Sequence, residues 1–213
     1  MTFNFKCAPA HLKLNPFAPD VPVEALRVSP RLDSFCWRVE QLVGEGGFAL
    51  LSGAPGLGKS AALRILAERL GALRDVQVGV LARPQAGMAD FHREMGELFG
   101  VELHPHNRHA GAKVLRARWQ AHIDAALSHP VLIVDEGQEV LLPVLAELRL
   151  LSSARLDSHL LLTVVLGGDQ RPAVKTIDPS TNRALARPSP SYQWSEESRQ
   201  VSPRSGTGRT TDP

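Results

Sequence analysis

Gly53, Ala54, Pro55, Gly56, Leu57, Gly58, Lys59 and Ser60 match the pattern G-x-x-x-x-G-K-[ST]. Chemistry explains these residue types at this spacing. A polyphosphate is held by several backbone N–H groups aimed inward, and glycines reach the required φ/ψ because they have no Cβ. A helix that begins at the loop adds its own unpaired N–H groups and partial positive charge. Lys59 is placed to reach the β- and γ-phosphates, and the Ser60 hydroxyl to hold Mg²⁺. The nucleotide-contacting stretch is therefore expected to run from Gly53 through Ser60 to Ala61, with ATP as ligand.

A phosphate loop also needs a carboxylate on the metal side. The stretch "VLIVDEGQE" ends four apolar residues on Asp135 and Glu136. An acid at the carboxyl end of a buried parallel strand lies where open α/β sheets bind ligands. Asp135 is expected to hold Mg²⁺ together with Ser60. Glu136 points differently and can act as general base on water. That second acid favours hydrolysis over simple phosphotransfer, with Glu136 and Lys59 as the catalytic pair.

Positioning these groups requires strands and helices in alternation. "FALLSG" reads as a buried strand before the loop, and "KSAALRILAERLGAL" as a helix after it, with apolar residues at helical spacing. Further strands are expected in "DVQVGVLA", "PVLIVDE" and "HLLLTVVLGGD". Further helices are expected in "SPRLDSFCWRVEQLV", "MADFHREMGELFG", "AKVLRARWQAHIDAALSH" and "EVLLPVLAELRLLSSARLD". Ser29 is a natural N-cap, Pro30 suits the first helical position, and Pro143 is tolerable only in a first turn. Unbroken apolar strands between helices predict an α/β fold, a parallel sheet covered by helices on both faces.

Composition sets the limits. The chain has 213 residues and is 43% apolar, enough for one domain with a core. A net charge of +2 argues neither for nor against nucleic acid. Two cysteines without CxxC spacing suggest a reduced, cytoplasmic setting. No stretch resembles a secretory leader or is long enough to span a bilayer, so no membrane partner is expected. Residues 1–30 read as a proline-rich, extended lead-in, and 31–170 as the core. Residues 171–213 are rich in Pro, Gly, Ser and Thr, lack periodicity, and are expected to be disordered.

Together "LNPFAPD", "FALLSGAPGLGKSAALRILAERL", "VLIVDEGQE", "LAELRLLSS" and "LLLTVVLGGD" resemble AAA+ ATPases of the origin-recognition/DEAH type. Within that group the chain is similar to ExeA-like ATPases and to the TniB-, IstB- and MuB-like ATP-binding partners of DDE transposases. The resemblance covers about residues 12–170. It implies a P-loop NTPase fold, Mg²⁺-dependent ATP hydrolysis and a transposition-associated role, with duplex DNA, a transposase and further copies of the chain as partners. Two alternatives stand beside it: a secretion-linked ATPase, and a nucleotide-binding fragment with little turnover.

By the same resemblance Asn15-Pro16-Phe17 would line the adenine pocket. Asp169 or Gln170 would supply a polar sensor at the end of a strand. Such ATPases continue into a helical lid with a sensor arginine and use an arginine finger. Here low-complexity sequence stands where the lid would begin, so the lid is expected to be absent and the tail to be a remnant. Arg149 and Arg155 are candidates to face a neighbour, or are ordinary surface arginines. His104, His106 and His109 form a polar loop rather than a metal site. Lys113, Arg116 and Arg118 open a helix and face solvent or phosphates. Trp37 and Trp119 are expected to pack.

Overall fold

A computed structural model describes residues 21–101, 108–125, 128–154, 159–169 and 191–194. Helix α1 (Pro30–Val43) starts as expected: the Leu32 N–H donates to Ser29 Oγ at 3.2 Å, and Pro30 stands in the first turn. Strand β1 (Gly47–Gly53) leads through the loop into α2 (Lys59–Gly71). Then come β2 (Val76–Leu81), α3 (Met88–Phe99), α4 (Arg108–Asp124) and β3 (His129–Val134). A 3₁₀ turn, Gly137–Glu139, precedes α5 (Leu142–Ser152), with Pro143 in its first turn. The short strands β4 (Ser153–Ala154) and β5 (His159–Leu160) pair antiparallel, and β6 (Thr163–Gly168) returns to the main sheet.

The main sheet has the order β2-β3-β6-β1-β7, with every pair parallel; β7 is Ser191–Trp194. Side-chain alternation sorts the core onto two faces. Val131, Ile133 and Val165 pack with Phe35, Val39, Leu66 and Leu70 of α1 and α2. Leu132, Val134, Val164 and Leu166 pack with Met95, Phe99, Leu115 and Leu148 of α3, α4 and α5. The expected α/β architecture, a parallel sheet with helices on both faces, is the one observed.

Four local expectations are corrected. Ser191–Trp194 lies inside the tail expected to be disordered, yet it pairs in parallel with β1, from Leu50↔Ser191 to Gly53↔Trp194. Tyr192 and Trp194 are good strand formers that the surrounding composition concealed. The remaining residues of that tail, and any question of a lid, lie outside the described residues. The helix expected over 139–157 is only α5, because Glu136–Glu139 forms its own turn and β4 begins at Ser153. "HLLLTVVLGGD" is two strands, since β5 turns back on β4 whereas β6 enters the parallel sheet. Helix α4 starts at Arg108, so His109 is helical rather than in a loop.

Cys36 sits on the buried face of α1. Burial pushes its thiol up to about 11, against the lowering pull of the nearby Arg69. The neutral thiol is therefore the form present at neutral pH, and the thiolate is the nucleophile. In a Cys7→Ser chain, Cys36 is expected to resist alkylation at pH 8 until denaturant is added. Stoichiometric labelling of the folded chain within minutes would contradict that environment.

Candidate functional site

The phosphate loop lies where β1 meets α2. Gly56 has φ +76° and Gly58 φ +96°, both in the left-handed region that side chains disfavour. Open space surrounds both, so backbone conformation is what requires glycine there. Gly58 is also the N-cap of α2 and supplies no side-chain cap. The first N–H groups of a 13-residue helix are thus left for a ligand. Leu57 anchors the loop by turning into the α1–α2 core.

Lys59 is only 7% exposed, and its Nζ donates to the Ala54 carbonyl oxygen at 3.2 Å. Among the described residues no carboxylate pairs with it. A buried ammonium held by one neutral carbonyl is incompletely compensated, and a polyanion in the loop would complete it. Ser60, one residue on, is exposed.

Strand β3 delivers the acids. Asp135 follows its last residue, and Asp135 Oδ1 accepts the Glu136 N–H at 2.9 Å. Glu136 has φ +51° and is the sole non-glycine with positive φ among the described residues. Such a residue costs about 1–3 kcal/mol and persists where its surroundings fix it. A cleft of about 380 Å³ lies between the loop and the acid turn, lined by Pro55, Gly56, Gly58, Lys59, Ser60, Glu136, Gln138 and Asp169. The loop and Glu136 therefore share one cleft although β6 separates their strands, whereas Asp135 is not part of its lining and sits beside Gly167.

The end of β6 makes that approach possible. A Cβ on Gly167 would meet Leu63 Cδ1 of α2 at 2.5 Å, and one on Gly168 would meet Gln138 Oε1 at 2.6 Å. The glycine pair lets α2 and the acid turn close over β6. Asp169, the expected sensor position, lines the cleft, and its N–H donates to Gln138 Oε1 at 3.1 Å. Gln138 also donates from Nε2 to Glu136 Oε2. Sequence reasoning assigned Gln138 no role. Its one signal was position, three residues past Asp135 in "DEGQ".

The cleft suits a polyphosphate: it offers an uncapped helix start, an incompletely compensated buried ammonium and the Ser60 hydroxyl. Oxygen donors of the kind Mg²⁺ takes stand at Ser60 in the cleft lining and at Asp135 beside it.

Other expected residues fall elsewhere. Trp119 is buried and meets Phe99 edge-on at 5.1 Å, as expected for a packing residue. Trp37 is corrected: it is 57% exposed, because it points away from the buried face of α1. Arg116 donates to the carbonyls of Ala112 and Leu150, while Lys113, Arg118 and Arg149 are exposed. Asn15-Pro16-Phe17, His104, His106, Arg155 and Gln170 lie outside the described residues. No group of three metal-ligating side chains and no helix long and apolar enough to cross a membrane occurs among the described residues.

A parallel sheet with a glycine-rich loop between β1 and α2, and acids at the end of β3, defines a P-loop nucleotide-binding fold. The family model described as AAA domain matches residues 42–173, more than half of the chain. The chain belongs to this AAA domain family, and its fold is that of AAA+ P-loop ATPases. It is 33% identical over 126 residues to general secretion pathway protein A of Aeromonas hydrophila, a match covering 58% of this chain and 22% of that one. Among solved structures it is similar to Cdc6p from Pyrobaculum aerophilum, with TM-score 0.60 and 19% identity, over 84% of this chain and 48% of that one. The ADP form of ORC2 from Aeropyrum pernix gives TM-score 0.56 and 12% identity, over 81% and 51%. The chain thus spans under a quarter of the secretion protein and about half of each structure.

Proposed function

We propose that the chain binds ATP with Mg²⁺ and hydrolyses its terminal phosphoanhydride. The observation that carries this reading is Lys59: buried, paired among the described residues only with a carbonyl, and set at the uncapped start of α2 in the cleft that Glu136 also lines. Gly53 to Ala61 would wrap the phosphates with backbone N–H groups, and Lys59 would neutralise the β- and γ-phosphoryl oxygens. Ser60 and Asp135 would hold Mg²⁺, which when bound would supply neutralisation of phosphate charge. Glu136 would take a proton from water as the water oxygen bonds to the γ-phosphorus and the bond from that phosphorus to the ADP oxygen breaks. The products are ADP and inorganic phosphate.

For the biological role we propose a cytoplasmic, transposition-associated ATPase acting on duplex DNA with a transposase. The motif resemblance supports it. A second reading, a secretion-linked ATPase, is favoured by the 33% identity to the secretion pathway protein. Duplex DNA separates them. Under the first reading, fluorescence anisotropy is expected to show binding that weakens steeply between about 50 and 200 mM salt and tightens with ATP. No binding at the lower salt, with or without ATP, would reject that role and leave the secretion reading.

A further inference from the structure

We infer that Gln138 is a positioning residue: its side-chain amide ties the Glu136 carboxylate to the end of β6 and so fixes the general base in the cleft. The inference rests on the hydrolytic reading of Glu136 given above.

The amide orientation follows from its partners. The Asp169 N–H can only donate, so it faces Oε1, at 3.1 Å. An ionised Glu136 carboxylate can only accept, so it faces Nε2. Glutamine serves both at once; a hydrocarbon or thioether of equal length serves neither. Glycines at the end of β6 make room for the amide to reach it. Gly168 lacks the Cβ that would lie 2.6 Å from Oε1, and Gly137 is buried against the Gly167 carbonyl, which an added Cβ would meet at 3.2 Å. Glu136 itself is exposed, with a left-handed backbone. Among the described residues no other hydrogen bond or ion pair holds its carboxylate towards the cleft.

The test has two arms, made on the full chain. In the first, the side-chain amide of Gln138 is observed by NMR in ¹⁵N-glutamine-labelled, nucleotide-free protein, identified as the signal lost in Gln138→Met. Glu136→Ala is expected to shift that signal and speed its solvent exchange. In the second, Gln138→Met is expected to lower kcat by about ten- to a hundredfold while ATP affinity stays within about twofold. A Gln138 signal indifferent to Glu136→Ala overturns the inference. So does a Gln138→Met chain with unchanged kcat. If the parent chain hydrolyses no ATP but the signal responds to Glu136→Ala, the tether stands and the hydrolytic reading fails.

Discussion

A Glu136→Gln chain is expected to bind ATP as tightly as the parent and to turn it over about 10²–10⁴-fold more slowly. The substitution keeps the size of the side chain and removes its capacity to accept a proton. Glu136 lines the cleft but stands on the acid turn, apart from the loop expected to grip the phosphates. Under the proposed function, ground-state binding and proton transfer therefore rest on different elements. Phosphate release and fluorescent-nucleotide titration on the same preparation measure the two separately. Equal loss in both would mean that Glu136 serves binding. Unchanged turnover would assign the base elsewhere.

Lys59→Ala is expected to weaken ATP binding about tenfold to more than a hundredfold. A hydrogen bond to a charged group contributes about 1.5–3 kcal/mol, and several charge-assisted contacts from one ammonium raise that figure. The fold should tolerate the change. Among the described residues the Lys59 side chain makes one hydrogen bond, to the Ala54 carbonyl, and removing a buried, incompletely compensated charge relieves a desolvation cost. A melting temperature within a few degrees of the parent, beside lost nucleotide affinity, is the expected pattern. Lost affinity accompanied by unfolding would place Lys59 in the structure rather than the site.

The phosphate loop was legible because its information is local. Eight consecutive residues call for glycines at unusual φ/ψ and a helix start, and the structure shows left-handed Gly56 and Gly58 and the start of α2 within that stretch; the burial of Lys59 is visible only in the fold. The acids were legible for a related reason, as an unbroken apolar run marks a buried strand and Asp135-Glu136 marks its carboxyl end. What stayed hidden depends on contacts between distant segments. Nothing in "LLLTVVLGGD" shows that its strand lies between β1 and β3, or that Gly167 and Gly168 make room for Leu63 and Gln138. Gln138 reads as one more polar residue until the Asp169 N–H, 31 residues on, appears at its carbonyl. Ser191–Trp194 was misread because averaging over a tail of small and polar residues outweighed four that pair with β1.

The most direct test of the central claim is a calorimetric titration of ATP into the parent chain and into Lys59→Ala, each with Mg²⁺ and with EDTA. One site per chain is expected in the parent, weakened by EDTA and lost or nearly lost in the variant. Equal ATP affinity in both chains would contradict the assignment of this cleft as the nucleotide site.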